Sequence, residues 1–235
     1  MEVAIKVCRQ AGYNEHALEL AKTHGLHHWY LQIALEDLKN YKEGLEYISA
    51  LAFQNAERNM KKYGSLLMKH LPRETTDLLK TLCTDYRPKN APIITEKMLE
   101  GQEEVQLRSN PDDFLHLFIR NNIGVLDFLE SMIKSRPNDC SEIVYNNLLE
   151  HYLHHYTSLD ASEKSKAKPL EDKIMAVLSN PKLSYDNDHA LVLCQLHNFL
   201  RGTLHLYERK GLHSQILKLH IELGDVEAAL DTCRR

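Results

Sequence analysis

The sequence predicts an all-α chain, an α-solenoid of stacked antiparallel helix pairs, and three observations predict it. First, one short amphipathic unit occurs twice: Asn14 to Gly25 reads NEHALELAKTHG and Asn187 to Asn198 reads NDHALVLCQLHN. The copies align without a gap on Asn14/Asn187, His16/His189, Ala17/Ala190, Leu18/Leu191, Leu20/Leu193 and His24/His197. A helical unit this small cannot bury its apolar face alone and must stack on neighbours. Second, turns recur in phase: Gly12-Tyr13 and Asn40-Tyr41 lie 28 residues apart, Asn198-Phe199 and Gly224-Asp225 lie 26 apart, and each opens a helix. Third, no stretch alternates apolar with polar residues, and no Asn-Gly or Asp-Gly hairpin dipeptide occurs.

Each element follows from local pattern. Val3 to Gln10 reads as the end of a helix, because apolar residues arrive with no capping sequence before them. After Gly12, the residues Ala17, Leu18, Leu20, Ala21 and His24 form one apolar arc, and Gly25 closes the helix where a left-handed cap is cheapest. Trp29 to Lys39 follows with Trp29, Ile33 and Leu38 inward, then Tyr41 to Leu51 with Leu45 and Ile48 inward. Phe53 to Tyr63 and Ser65 to Leu71 are expected as two helices divided at Gly64. Pro72 suits the first turn of the next, which runs to Cys83, since its missing N–H costs nothing there.

The texture then changes. Residues 87–110 hold Pro88, Pro92 and the polar run GQEEVQLRSN, a loop or partly ordered crossing between a first solenoid segment, 1–86, and a second, 111–235. In the second, Asp112 is placed to cap FLHLFI, and Val125 to Ser135 is closed by Pro137. Ser141 to Tyr156 carries Val144, Leu148, Tyr152 and Tyr156 down one side. A lysine-rich stretch, Ser162 to Lys173, passes into Ile174 to Leu178. The expected core includes Leu18, Leu20, Trp29, Leu45, Ile48, Leu191, Leu193 and Leu204. Apolar residues at Val3 to Val7 and at Ala228 to Cys233 leave both ends in need of a neighbouring repeat, so both should expose apolar surface.

Composition bounds the function. With 43% hydrophobic and 26% charged residues the chain is globular, and a net charge of −4, well mixed, argues against nucleic acid as a partner. No apolar run approaches the roughly 20 residues that span a bilayer, and Met1 opens no signal peptide, which predicts a soluble chain. The five cysteines, Cys8, Cys83, Cys140, Cys194 and Cys233, form no CxxC pair. Cys8, Cys194 and Cys233 sit among apolar helical neighbours, which fits buried reduced thiols in a reducing compartment.

No constellation carries chemistry, so catalytic, cofactor and metal residues are all read as none. Of the 14 histidines, His151 and His155 lie about 40° apart on a helix and could share an ion, but Glu150 and His154 project elsewhere and no third ligand is local. His24 and His197 fall in apolar arcs, as hydrogen-bonded packing residues. Asp186 and Asp188 start like a calcium loop but lack its glycine and final glutamate, and read as helix N-terminal acids. The adjacent pairs Glu36-Asp37 and Asp112-Asp113 should diverge on a helix. Lys164, Lys166, Lys168 and Lys173 read as a linker or solvated face, and Arg58, Lys61 and Lys62 as solvent-facing beside Glu57.

The turn pattern, an aromatic followed by a small residue three or four positions on, resembles a degenerate tetratricopeptide unit, whose full repeat is about 34 residues. More specific are WYLQIALEDLKNYKEGLEYI at Trp29 to Ile48, AERNMKKYGSLLMKHLPRETTDLLKTLCTDYRP at Ala56 to Pro88, and ALVLCQLHNFLRGTLHLYE at Ala190 to Glu208. Together these resemble the vacuolar protein sorting-associated protein eleven, or Pep five, family. That resemblance implies a central α-solenoid with a clathrin heavy-chain repeat, in a core subunit of the HOPS and CORVET tethering complexes. It further implies the other class C subunits as partners, Rab GTPases and SNAREs engaged indirectly, and a cytoplasmic, peripheral location on endosomal, lysosomal or vacuolar membranes. The family's propeller and RING-type zinc module have no counterpart in these residues, so zinc and ubiquitin-ligase roles do not carry over. The other reading is a tetratricopeptide-like adaptor gripping short peptides in a concave groove. It would need a clamp of Lys, Asn or Arg repeated on inner helices, which the sequence does not show.

Overall fold

The computed structural model describes residues 1–89, 107–119, 121–136, 139–159 and 164–234. Most of the crossing expected at 87–110, together with Pro137, lies outside the described residues. Every regular element among them is helical. Two compact units, Met1–Phe128 and Leu129–Arg235, divide the chain within a single helix.

The first unit holds α1 (Glu2–Gln10), α2 (Asn14–Thr23), α3 (His27–Gln32) running into a π-helical turn at Ile33–Asp37, α4 (Tyr41–Ala50), α5 (Phe53–His70), α6 (Pro72–Cys83), a 3₁₀ segment at Pro111–Phe118 and the start of α7 (Asn122–Ser135). The second holds the rest of α7, α8 (Glu142–Ser158), α9 (Lys164–Leu178), α10 (Asn187–Leu196), α11 (Leu200–Lys210), α12 (His213–Glu222) and α13 (Val226–Arg234). Within the first unit each helix from α1 to α6 packs on the next, and within the second α8 meets α9 and α10, α9 meets α11, and α10 to α13 pack in succession, as stacked pairs do.

One turn builds most of these pairs. Gly12, Gly25, Asn198, Gly211 and Gly224 all sit at positive φ, between 51° and 80°. The N–H of each following residue (Tyr13, Leu26, Phe199, Leu212 and Asp225) donates to the carbonyl five residues back, at 2.8–3.0 Å. The N–H of each left-handed residue donates to the carbonyl three back, at 3.0–3.1 Å. This pair of hydrogen bonds is the Schellman cap, which satisfies carbonyls the helix end leaves orphaned. Within each unit the turns recur every thirteen residues: Gly12 to Gly25, then Asn198 to Gly211 to Gly224.

The next turn in the first unit is a variation with a physical cause. Its left-handed residue is Lys39, at φ 54°, fourteen residues after Gly25. Here Asn40 N–H reaches back six residues, to Ala34 at 2.8 Å, and Leu38 N–H reaches back five, to Ile33 at 2.9 Å. The π-turn absorbs one inserted residue and restores the same exit. The repeating pair is therefore Gly12-Tyr13 with Lys39-Asn40, and the expected Asn40-Tyr41 is one residue out of register. Asn40 instead caps α4, accepting from Glu43 N–H at 3.4 Å.

The small residue expected after each turn is present for a reason. Ala17 and Ala190, equivalent in the two copies, are buried, as are their partners one turn on, Ala21 and Cys194. A Cβ on Gly44 would come within 2.4 Å of Leu35 Cδ2. One on Gly202 would meet the Phe199 ring at 2.5 Å and Cys194 Sγ at 2.9 Å. Backbones approach closely because these positions carry nothing to hold them apart.

Several expectations needed correction. Gly64 does not divide α5; it lies inside one long helix where a Cβ would press on Leu117, 2.7 Å away. Asn110, not Asp112, caps the following segment, accepting from Asp112 N–H at 3.2 Å, and that segment is 3₁₀. Lysine-rich residues from Lys164 and the apolar Ile174 to Leu178 form one helix with Pro169 inside it. Leu38 is exposed, since the π-turn rotates it out of the face that Ile33 and Leu35 bury. Of the expected core, Leu45, Ile48 and Leu193 are buried, whereas Leu18, Leu20, Trp29, Leu191 and Leu204 are only partly covered.

Gly202→Ala should cost about 1–3 kcal/mol by overpacking the buried Phe199 and Cys194, while Gly211→Ala should cost about 1–2 kcal/mol through its left-handed backbone. Urea denaturation followed by circular dichroism checks both, and equal stability of Gly202→Ala and wild type would contradict the close approach at α11.

Candidate functional site

The titratable residues singled out in the sequence are mostly tied into packing. The Asp186 carboxylate accepts from Asp188 N–H at 2.8 Å and His189 N–H at 3.1 Å, so those backbone bonds hold its pKa below the usual range. It is the N-cap of α10, as the reading as helix N-terminal acids expected, and Asp188 pairs with Lys210. Glu36 and Asp37 do not diverge. The π-turn lets both reach Arg9, whose Nη2 is 2.8 Å from Asp37 Oδ1 and 3.6 Å from Glu36 Oε2. This ties α1 to the end of the third helix.

The histidines are dispersed. His24 is exposed, because it follows the end of α2 and swings out with the cap. His197 is half-buried; Thr157 Oγ1 lies 2.6 Å from its Nδ1, and His154 packs edge-on against it with ring centroids 6.3 Å apart. His151 is half-buried and its pKa is lowered, by burial first, with Glu150 opposing. Among the described residues no three His, Cys, Asp or Glu side chains are placed to hold a metal ion.

No disulfide joins the five cysteines to one another. Cys194 is fully enclosed and burial pushes its thiol up to about 12, which leaves it unreactive. Cys8 is partly covered and Cys233 is exposed, since α13 has no helix outside it among the described residues.

Lysines and arginines sort into distinct roles. Lys61 spans Glu57 at 3.0 Å and Asp113 at 2.8 Å, joining α5 to the 3₁₀ segment. Lys173 bonds Glu130 at 2.8 Å and lies over the Tyr152 ring. Lys168 is exposed, and the side chains of Lys164 and Lys166 lie outside the described residues.

Among the described residues three surfaces bear on binding, two of them concave. A cavity of about 330 Å³ between α4 and α6 has Leu45 and Leu78 buried in its floor, with Lys42, Glu46, Glu74, Asp77 and Lys89 around it. The carbonyl of Ser49, which lines it, is one of three that face the Tyr86 hydroxyl, at 3.2 (Ile48), 3.1 (Ser49) and 2.7 Å (Leu51). Three carboxylates to two ammoniums is the wrong balance for a clamp that grips a peptide carboxylate. A second cavity, about 400 Å³, is lined by residues of α3 and α5, including Asn55, Arg58, Asn59 and Lys62. These four resemble half of such a clamp, but on one helix only.

The third surface is apolar. Positions equivalent in the two copies of the repeat carry Glu19 and Thr23 in α2 but Val192 and Leu196 in α10, and all four are exposed, Val192 by 59% and Leu196 by 71%. Their polar counterparts show that the repeat itself does not need apolar side chains there. Both ends add more: Val3 and Val7 on α1, and Ile221, Val226 and Leu230 on α12–α13, are more than half exposed, as the pattern required.

A structure of paired helices closed by one recurrent turn is the signature of helical repeats, and all residues from 1 to 235 match the PEP5/VPS11 clathrin repeat. The chain belongs to that family. It is 42% identical over 239 residues to the human vacuolar protein sorting-associated protein 11 homolog, covering all of this chain and 24% of that protein. The Dictyostelium discoideum homolog is 35% identical over 275 residues and the Arabidopsis thaliana homolog 30% over 278. The chain spans about a quarter of the length of these curated relatives, 24–29%. Within this PEP5/VPS11 clathrin repeat, no helix of the described residues is long and apolar enough to cross a membrane.

Burial raises the Tyr86 hydroxyl from 10.0 to about 12. A raised folded-state pKa means its contribution is complete below pH 10 and is lost as pH rises towards about 12. The Tyr86→Phe variant should show lower stability at neutral pH and a shallower decline over that alkaline window. Thermal melts from neutral pH to pH 12 check this, and an unchanged slope would remove Tyr86 as the group responsible.

Proposed function

We propose that this chain is a scaffold segment of a membrane-tethering complex in endosome-to-lysosome or vacuole trafficking, acting through protein–protein contacts and without a chemical step. The matched proteins are named for vacuolar protein sorting, and the matched family is a clathrin repeat, not a catalytic family. In this reading its partners are the other class C subunits of the HOPS and CORVET complexes. Rab GTPases and SNAREs are engaged through the assembly, and the chain is held peripherally on late endosomal, lysosomal or vacuolar membranes.

The observation that carries this reading is the apolar row on α10. A solvated helix face holds Glu19 and Thr23 in one copy of the repeat, and the same face holds Val192 and Leu196 in the other. Exposed apolar side chains that the fold does not require mark a contact surface. Interface energy concentrates in such desolvated anchors, so one helix row can dominate a docking event.

Co-expression of the chain with the other class C subunits, followed by affinity capture, tests the proposal. Wild type should retain at least one subunit. The double variant Val192→Asp and Leu196→Asp should lose it while its stability stays within about 0.5 kcal/mol, as for ordinary surface changes. Capture unaffected by both aspartates would take α10 out of the interface, and a wild-type chain that retains none of the subunits would end the scaffold reading.

A further inference from the structure

The cavity against α3 and α5 is lined by two cations, Arg58 and Lys62, and one acid, Glu2. Within the run Glu57 to Lys62, the helix separates its charges: Glu57 and the more distant Asp113 are both taken by Lys61. Arg58 and Lys62, one turn apart, line the cavity, and among the described residues neither is ion-paired with a carboxylate. Asn55 lies on the same side, and Glu2 is the one acid among the residues lining the cavity. Lys62 Nζ lies 3.2 Å from His28 Nδ1 and 4.7 Å from the centroid of the Tyr63 ring, contacts that bring no carboxylate to it. Lys6 lies over the ring of Trp29, another lining residue, with Nζ 5.6 Å from its centroid, which brings a further cation to the margin.

We propose that this cavity binds a phosphate group borne by a small molecule or a lipid headgroup. A guanidinium presents a planar fork that matches the oxygens of a phosphate, and a lysine one turn away adds a second charge. At about 400 Å³ the space suits a compact, multiply charged ligand. Two cations without carboxylate partners favour a dianion over the single charge of a peptide terminus. This assignment is independent of α10 and of any subunit contact.

Trp29 is the single tryptophan of the chain and lines the cavity, so its fluorescence reports occupancy directly. The chain is titrated at constant ionic strength with sodium pyrophosphate and with soluble inositol trisphosphate. A second series uses phosphatidylcholine vesicles with or without a phosphorylated inositol lipid. A saturable change in Trp29 emission is expected, with affinity falling about tenfold or more in Arg58→Gln/Lys62→Gln, as loss of charge-assisted bonds implies, and unchanged in Lys61→Gln. Arg58→Lys, which keeps the charge and loses the fork, should fall between. Binding to the soluble anions alone assigns a free phosphate ligand, and tighter binding to the phosphorylated vesicles assigns a headgroup. The proposal is overturned by no saturable change with any probe, by equal weakening in Lys61→Gln, or by equally tight binding of a glutamate peptide. Circular dichroism of each variant separates lost binding from lost fold.

Discussion

Each helix in the regular stretches of this protein ends on a residue whose backbone must turn left-handed, and that constraint governs the rest. At such a position a side chain costs about 1–2 kcal/mol, which glycine avoids and asparagine tolerates. Gly12, Gly25, Gly211, Gly224 and Asn198 occupy it. Once the residue is fixed, two backbone bonds lock the exit, the next residue enters the following helix, and the chain has reversed. Thirteen-residue spacing then sets helix length, because ten or eleven helical residues are all that fit between consecutive caps. Repetition of one turn thus produces helices of matched length that can stack, and stacking is where burial comes from.

Packing makes its own demands on this scaffold. Small residues stand where matched helices pack, buried alanines at Ala17 and Ala190 and glycines at Gly44 and Gly202, and at the glycines the space is filled by Leu35, Phe199 and Cys194. Where an extra residue entered before Lys39, the π-turn took it up without changing the exit. That turn had a second consequence. It swung Glu36 and Asp37 onto Arg9, converting two acids that a regular helix would separate into one bridge between α1 and the third helix.

Function follows from what this packing leaves uncovered. Three tyrosines inside the units fix geometry: Tyr30 donates to Glu43 at 2.7 Å, Tyr152 to Glu130 at 2.6 Å, and Tyr185 to the Leu178 carbonyl at 2.7 Å. Burial raises all three tyrosines above their ordinary pKa, which makes them hydrogen-bond donors at any physiological pH. The faces left over are apolar on α10 and at both ends, and cationic beside α3 and α5. In the proposed reading such faces serve recognition, in a chain of the PEP5/VPS11 clathrin repeat family.

The sequence by itself determined the helical class, the paired repeat and its turns, because these rest on local rules: period, capping and the few residues that accept a left-handed backbone. It also carried the family, in the long stretches at Trp29 to Ile48 and Ala56 to Pro88. Only the tertiary structure decided where each side chain went. Gly64 looks like a break and is a notch for Leu117; Leu38 looks buried and is exposed; Arg58 and Lys61 look alike, yet among the described residues only Lys61 meets acids, one of them fifty-two residues away. The surfaces were hidden for the same reason. A periodic pattern specifies which face of a helix is apolar, while the neighbour that covers it, or fails to, is set by contacts between residues far apart in the chain.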